Sequence, residues 1–63
     1  MKLIHRKSMR YLVRYFVMGK WATVNRGYQH LSAARRTAEK LIGNALIGVV
    51  EIILAGRACW RYQ

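Results

Sequence analysis

The sequence predicts an all-α chain, a two-helix hairpin completed by self-association or by a larger partner. Three observations predict it. The long apolar run Leu41 to Ala55 is interrupted only by Asn44 and Glu51, which lie seven apart and so on one line of a helix. The segment from Met9 to Val24 repeats its apolar residues at helical spacing. Between them, Asn25-Arg26-Gly27 is the clearest turn signal in a chain without proline, since Asn and Gly both tolerate positive φ.

Residues 1–8 (MKLIHRKS) read as a basic lead, with His5, Arg6 and Lys7 clustered and Ser8 available as an N-cap. Helix 1 is expected over about 9–24. Lys7, Arg10 and Arg14 share one face of it, and Met9, Leu12, Val13, Phe16 and Val17 form the other. Tyr11, Tyr15, Met18 and Ala22 line the boundary. The Tyr, Val and Phe content leaves a strand over Tyr11 to Met18 as the alternative. Gly19 disfavours a helix interior by about 1 kcal/mol relative to Ala and marks a bend or an end.

The turn is placed at about 25–28 and helix 2 at about 29–57, starting anywhere from 27 to 33. Ser32 is the N-cap candidate by residue type. Arg35 and Arg36 in a first turn after Ser32 would oppose the helix dipole, which favours an earlier start. Within the apolar run, Ile42, Leu46, Val49 and Ile53 lie opposite the Asn44–Glu51 stripe, a wide apolar arc that implies burial on several sides. Val49, Val50, Ile52 and Ile53 are β-branched, so a strand competes here too. About fifteen residues is long for a strand, which favours the helix. Residues 58–63 form a tail in which Trp60 and Tyr62 stand beside Arg61.

A membrane span is disfavoured. Crossing the hydrocarbon needs roughly 20 apolar residues, whereas Lys40 and Arg57 bracket sixteen with Glu51 near their middle. If the run did insert, ten Lys/Arg precede it and two follow, which orients the N-terminus to the cytoplasm.

Sixty-three residues allow one small domain with a marginal core, so association is the expected remedy. The single Cys59 rules out an intrachain disulfide, and with only His5 and His30 beside it no zinc-finger ligand set exists. Cys59 reads as a small apolar filler. The net charge of +10 arises from twelve Lys/Arg against Glu39 and Glu51, and the first thirty-eight residues hold nine of those cations and no acid. Such a chain attracts anions: nucleic acid, acidic lipid or an acidic protein patch. The Arg-rich, acid-poor N-terminus also has the composition of an organellar transit peptide, though serine is scarce.

No catalytic constellation exists, since Asp is absent and the two glutamates lie on different sides of a helix. The expected function is therefore non-catalytic, with no cofactor and no metal. It is a small regulator, inhibitor or accessory subunit that docks on a larger protein or on itself through Leu46, Val49, Val50 and Ile53. Glu51 pairs with a partner's cation or lies on an exposed stripe. Lys7, Arg10, Arg14, Arg35, Arg36 and Lys40 are the expected anion contacts. The alternatives are a membrane-associated protein and a nucleic-acid binder that uses the basic face of helix 1. The expected location is the cytoplasm, with the inner face of a membrane as the alternative.

Overall fold

A computed structural model describes residues 10–63, so Lys7 and the rest of the basic lead, together with Met9, lie outside the described residues. The helical hairpin is not what the chain forms. The elements run β1 (Tyr11–Val17), β2 (Lys20–Tyr28), α1 (Leu31–Ile42), β3 (Ile47–Leu54) and β4 (Arg57–Tyr62). The strands make one antiparallel sheet in the order β2-β1-β3-β4. The all-α class and the amphipathic helix 1 are thus overturned, and only the N-terminal part of the expected helix 2, Leu31–Ile42, is helical.

The reason lies in β1. Its seven residues, YLVRYFV, satisfy two periods at once, and aromatic and β-branched side chains suit a pleated surface. Tyr11, Val13 and Tyr15 pair with Leu54, Ile52 and Val50 on the face that α1 covers. Leu12, Arg14 and Phe16 pair with Ile53, Glu51 and Val49 on the opposite face. Two glycines then settle the hairpins. Met18 and Gly19 have φ of 52° and 80°, and Ala55 and Gly56 have φ of 53° and 80°. Two successive positive φ values make the two-residue turn whose twist matches that of the strands it joins. Gly19, read above as a bend or a helix end, and Gly56 are the second residues of these turns. Asn25-Arg26-Gly27 is not the chain reversal but part of β2. It lies where Leu12 pairs with Gly27 and Arg14 with Thr23, so β2 carries two residues more than β1 there.

The apolar run splits at residues 43–46. α1 ends at Gly43, and the Asn44 side-chain oxygen accepts the Leu46 backbone N–H at 2.9 Å. The Ile47 N–H closes the turn onto the Asn44 carbonyl at 3.0 Å. Asn44 is thus a turn former, which its short side chain suits, rather than half of a polar stripe. What remains of the run is β3, a central strand apolar on both faces. That is why it reads as continuous instead of alternating.

α1 returns the chain from edge strand β2 to β3 across one face of the sheet. Its buried residues are Ala34 and Ala38, whose small side chains bring the helix close to Val13, Val50 and Ile52. These five residues are 0% exposed and, with Ile47, form the core. Thr37 donates to the Tyr28 hydroxyl at 2.8 Å, which fixes α1 against β2. His30 takes the N-cap position without a side-chain bond, so Ser32 does not cap the helix. Among the described residues no helix is long and apolar enough to cross a membrane.

Candidate binding face

One helix covers one face of the sheet. No element among the described residues covers the other. Strand register arranges that open face in three rows, because directly opposed residues of antiparallel strands point to the same side. The middle row is Thr23, Arg14, Glu51 and Arg61. One neighbouring row is Trp21, Phe16 and Val49. The other is Gly27, Leu12, Ile53 and Ala58. A polar stripe therefore runs across the strands between two apolar ones.

Glu51 is the centre of the stripe. Its side chain is 5% exposed even though it points to the uncovered side, while those of Arg14 and Arg61 are 41% and 54% exposed. Arg14 donates from Nε to Glu51 Oε1 at 2.7 Å and from Nη2 to the same oxygen at 2.6 Å. Arg61 donates from Nε to Oε2 at 3.0 Å and from Nη2 at 2.8 Å. Each guanidinium thus meets one carboxylate oxygen side-on. The bonds from Arg14 hold the Glu51 carboxyl below the usual carboxylate range. Burial opposes this, and the bonds from Arg61 and the two positive charges reinforce it. The carboxylate is charged, and each of its oxygens is held by a guanidinium.

Aromatic groups extend the stripe. The Arg14 guanidinium carbon lies 4.5 Å from the Trp21 ring centroid, within cation–π range. Phe16 meets Trp21 edge-to-face with centroids 5.2 Å apart. Trp21 is still 44% exposed and Leu12 39%, and Phe16, Val49 and Ile53 are half-buried. Two guanidiniums, an indole and a band of aliphatic side chains share one open face. Enclosed space is minor by comparison. A shallow depression of about 230 Å³ beside α1, lined by Ser32, Arg35, Arg36 and Glu39, falls below the size usual for small-molecule sites.

The residues expected to bind a partner are dispersed by the sheet. Val49, Glu51 and Ile53 share the open face. Val50 is sealed in the core, and Leu46 stands 69% exposed in the α1–β3 turn. The expected cations are dispersed likewise. Arg14 is on the open face, and Arg10 is exposed just before β1. On the helix side, Arg35 stacks over Trp60 at 4.6 Å, and Arg36 and Lys40 face outward from α1. Four residues of the face were not expected from sequence to contact a partner: Leu12, Phe16, Trp21 and Arg61. The signal for Phe16 was the alternation of Tyr11, Val13, Tyr15 and Val17 with Leu12, Arg14 and Phe16. Arg61 and Trp21 carry no local signal, since pairing across strands places them. Cys59 is a free, exposed thiol in β4 rather than a filler. No group of three metal-ligating side chains occurs among the described residues. No protein-family model matches the sequence, and comparison with curated proteins and with solved structures finds no match to it.

Proposed function

We propose that this chain is a small non-catalytic binding protein and that its binding surface is the open face of the sheet. The observation that carries the reading is the row Arg14–Glu51–Arg61 set among half-exposed Leu12, Phe16, Trp21, Val49 and Ile53. Such a surface offers apolar area for contact and fixed cations for orientation, and an open sheet face suits a macromolecule better than a small ligand. Val49 and Ile53 keep the contact role expected of them, now as alternate residues of a strand. The non-catalytic reading is supported by the buried Glu51 carboxylate, whose two oxygens are held by Arg14 and Arg61.

Charge favours an anionic partner over a second copy. At +10 the chain repels itself. Stacking two open faces would bring Arg14 and Arg61 against their own copies. The sheet edges resist pairing as well, since β2 carries Lys20 and Arg26 and β4 carries Arg57 and Arg61. A cytoplasmic location belongs to the same proposal and rests on composition alone.

The test is an NMR titration of the labelled chain with two polyanions, polyglutamate and an oligonucleotide. Amide shifts are expected to gather on Leu12, Arg14, Phe16, Trp21, Val49, Ile53 and Arg61. Shifts gathered instead on Arg36, Lys40 and the outer side of α1 would overturn the assignment.

A further inference from the structure

We infer that the open face binds single-stranded nucleic acid, with Arg14 and Arg61 holding phosphate groups and Trp21 stacking on a base. The inference rests on the binding-face reading above and names its partner.

Three features of the face select this chemistry. First, its cations are arginines held in fixed orientation. Each guanidinium spends Nε and Nη2 on Glu51 and makes no other hydrogen bond among the described residues. The Nη1 amino group of each remains as a donor pair, and planar guanidinium donors suit phosphate oxygens. Glu51 acts as a positioning residue: it locks two long side chains that would otherwise lose rotamer freedom on binding.

Second, an aromatic surface adjoins those cations. Trp21 lies in the row next to Arg14, touches its guanidinium and keeps 44% of its surface exposed. Phe16 braces the indole from the side. An acidic peptide would use the arginines and gain little from the indole. A nucleotide uses both, because every base has a face that stacks and every phosphate a charge.

Third, the width of the sheet does not fit the major groove of a duplex. Four strands spaced about 4.8 Å apart span about 14 Å between the outer backbones. The major groove, about 12 Å wide, admits a helix or a two-stranded ribbon. A four-stranded face is too wide for that groove, whereas the splayed bases of a single strand can lie along it. The net charge of +10 then supplies attraction without sequence preference.

The test is fluorescence anisotropy with a labelled twelve-nucleotide oligothymidylate and, in parallel, a labelled polyglutamate peptide, each over a salt series with the full chain. Trp21→Ala leaves the charge unchanged and removes a half-exposed indole together with its contacts to Arg14 and Phe16. Trp60→Phe is the control change on the opposite face, and circular dichroism checks that both variants fold. The expected result is oligonucleotide binding that weakens steeply with salt. It should fall about 5- to 150-fold in Trp21→Ala, the equivalent of losing one stacked base, and change less than about threefold in Trp60→Phe. Polyglutamate binding that is lost in Trp21→Ala, with no oligonucleotide binding at low salt, overturns the nucleic-acid inference and leaves the binding face standing. Oligonucleotide binding that ignores Trp21→Ala overturns the stacking assignment, since charge alone then accounts for it. Binding of neither polymer overturns both readings.

Discussion

Replacing Glu51 by Gln tests the centre of the open face without changing its shape. The carboxylate accepts four N–H contacts between 2.6 and 3.0 Å, two on each oxygen. A net contribution of roughly 1.5–3 kcal/mol is usual for hydrogen bonding to a charged group. The lower end applies to each arginine here, because their side chains are 41% and 54% exposed and water screens them. Two such pairs give about 3 kcal/mol. Glutamine keeps one carbonyl oxygen as an acceptor, so the expected loss is about 2 kcal/mol. That lies between an exposed pair, at about 0–1 kcal/mol, and a fully buried one broken on one side, at about 3–5 kcal/mol. For a chain of this size it corresponds to a fall in Tm of roughly 8–16 °C. Urea unfolding followed by circular dichroism at pH 7 measures it.

The same variant separates charge from packing. The Glu51 pKa is lowered in the folded chain, so its contribution is full above the ordinary carboxylate value of about 4.3 and is lost as the pH falls through the lowered folded value. Wild-type and Glu51→Gln unfolding curves should therefore differ at pH 7 and converge in strong acid. A loss below about 0.5 kcal/mol at pH 7 would mean that the ion pairs behave as an ordinary surface contact. An undiminished gap in strong acid would mean that the charge is not what stabilises.

The other expectations concern packing and turns. Val50→Ala removes volume from a fully buried site and should cost about 2 kcal/mol in urea unfolding, whereas Leu46→Ala, in an exposed turn, should change stability by less than about 0.5 kcal/mol. Ala55→Asn should stabilise by about 0.5–1 kcal/mol in the same assay, since Ala55 holds φ 53° and Asn tolerates the left-handed region better. Asn44→Ala, which removes the acceptor for the Leu46 N–H, should cost about 1 kcal/mol, read as a lower Tm. Sedimentation at low salt should show a monomer, because +10 charges oppose the stacking of two open faces; a stable dimer would point to a different partner for Val49 and Ile53.

Local chemistry was enough for several features. The excess of cations, the single thiol and the absence of aspartate exclude a disulfide framework, a zinc-finger ligand set and an aspartate-based triad whatever the fold. The small residues Ala33, Ala34 and Ala38 lie at helical spacing, and α1 forms over Leu31–Ile42. The sequence also marked Gly19 as a break, though not as a hairpin turn, since a glycine is compatible with either a helix end or a positive φ.

Tertiary structure decided the rest, for a physical reason visible in two segments. In YLVRYFV the apolar residues fit a helical stripe and a strand's alternation together, and only the partner surface distinguishes them. Val13 finds Ile52 across the ladder, and α1 lies over that face. In Ile47–Leu54 a central strand with apolar residues on both sides loses its alternation and imitates a buried helix. Glu51 is the sharpest case. Alone in that run it reads as an exposed charge or as one that awaits another molecule. Its partners are Arg14, thirty-seven positions earlier, and Arg61, ten later. Their meeting depends on strand register, which is a property of the assembled sheet and of no local stretch of the chain.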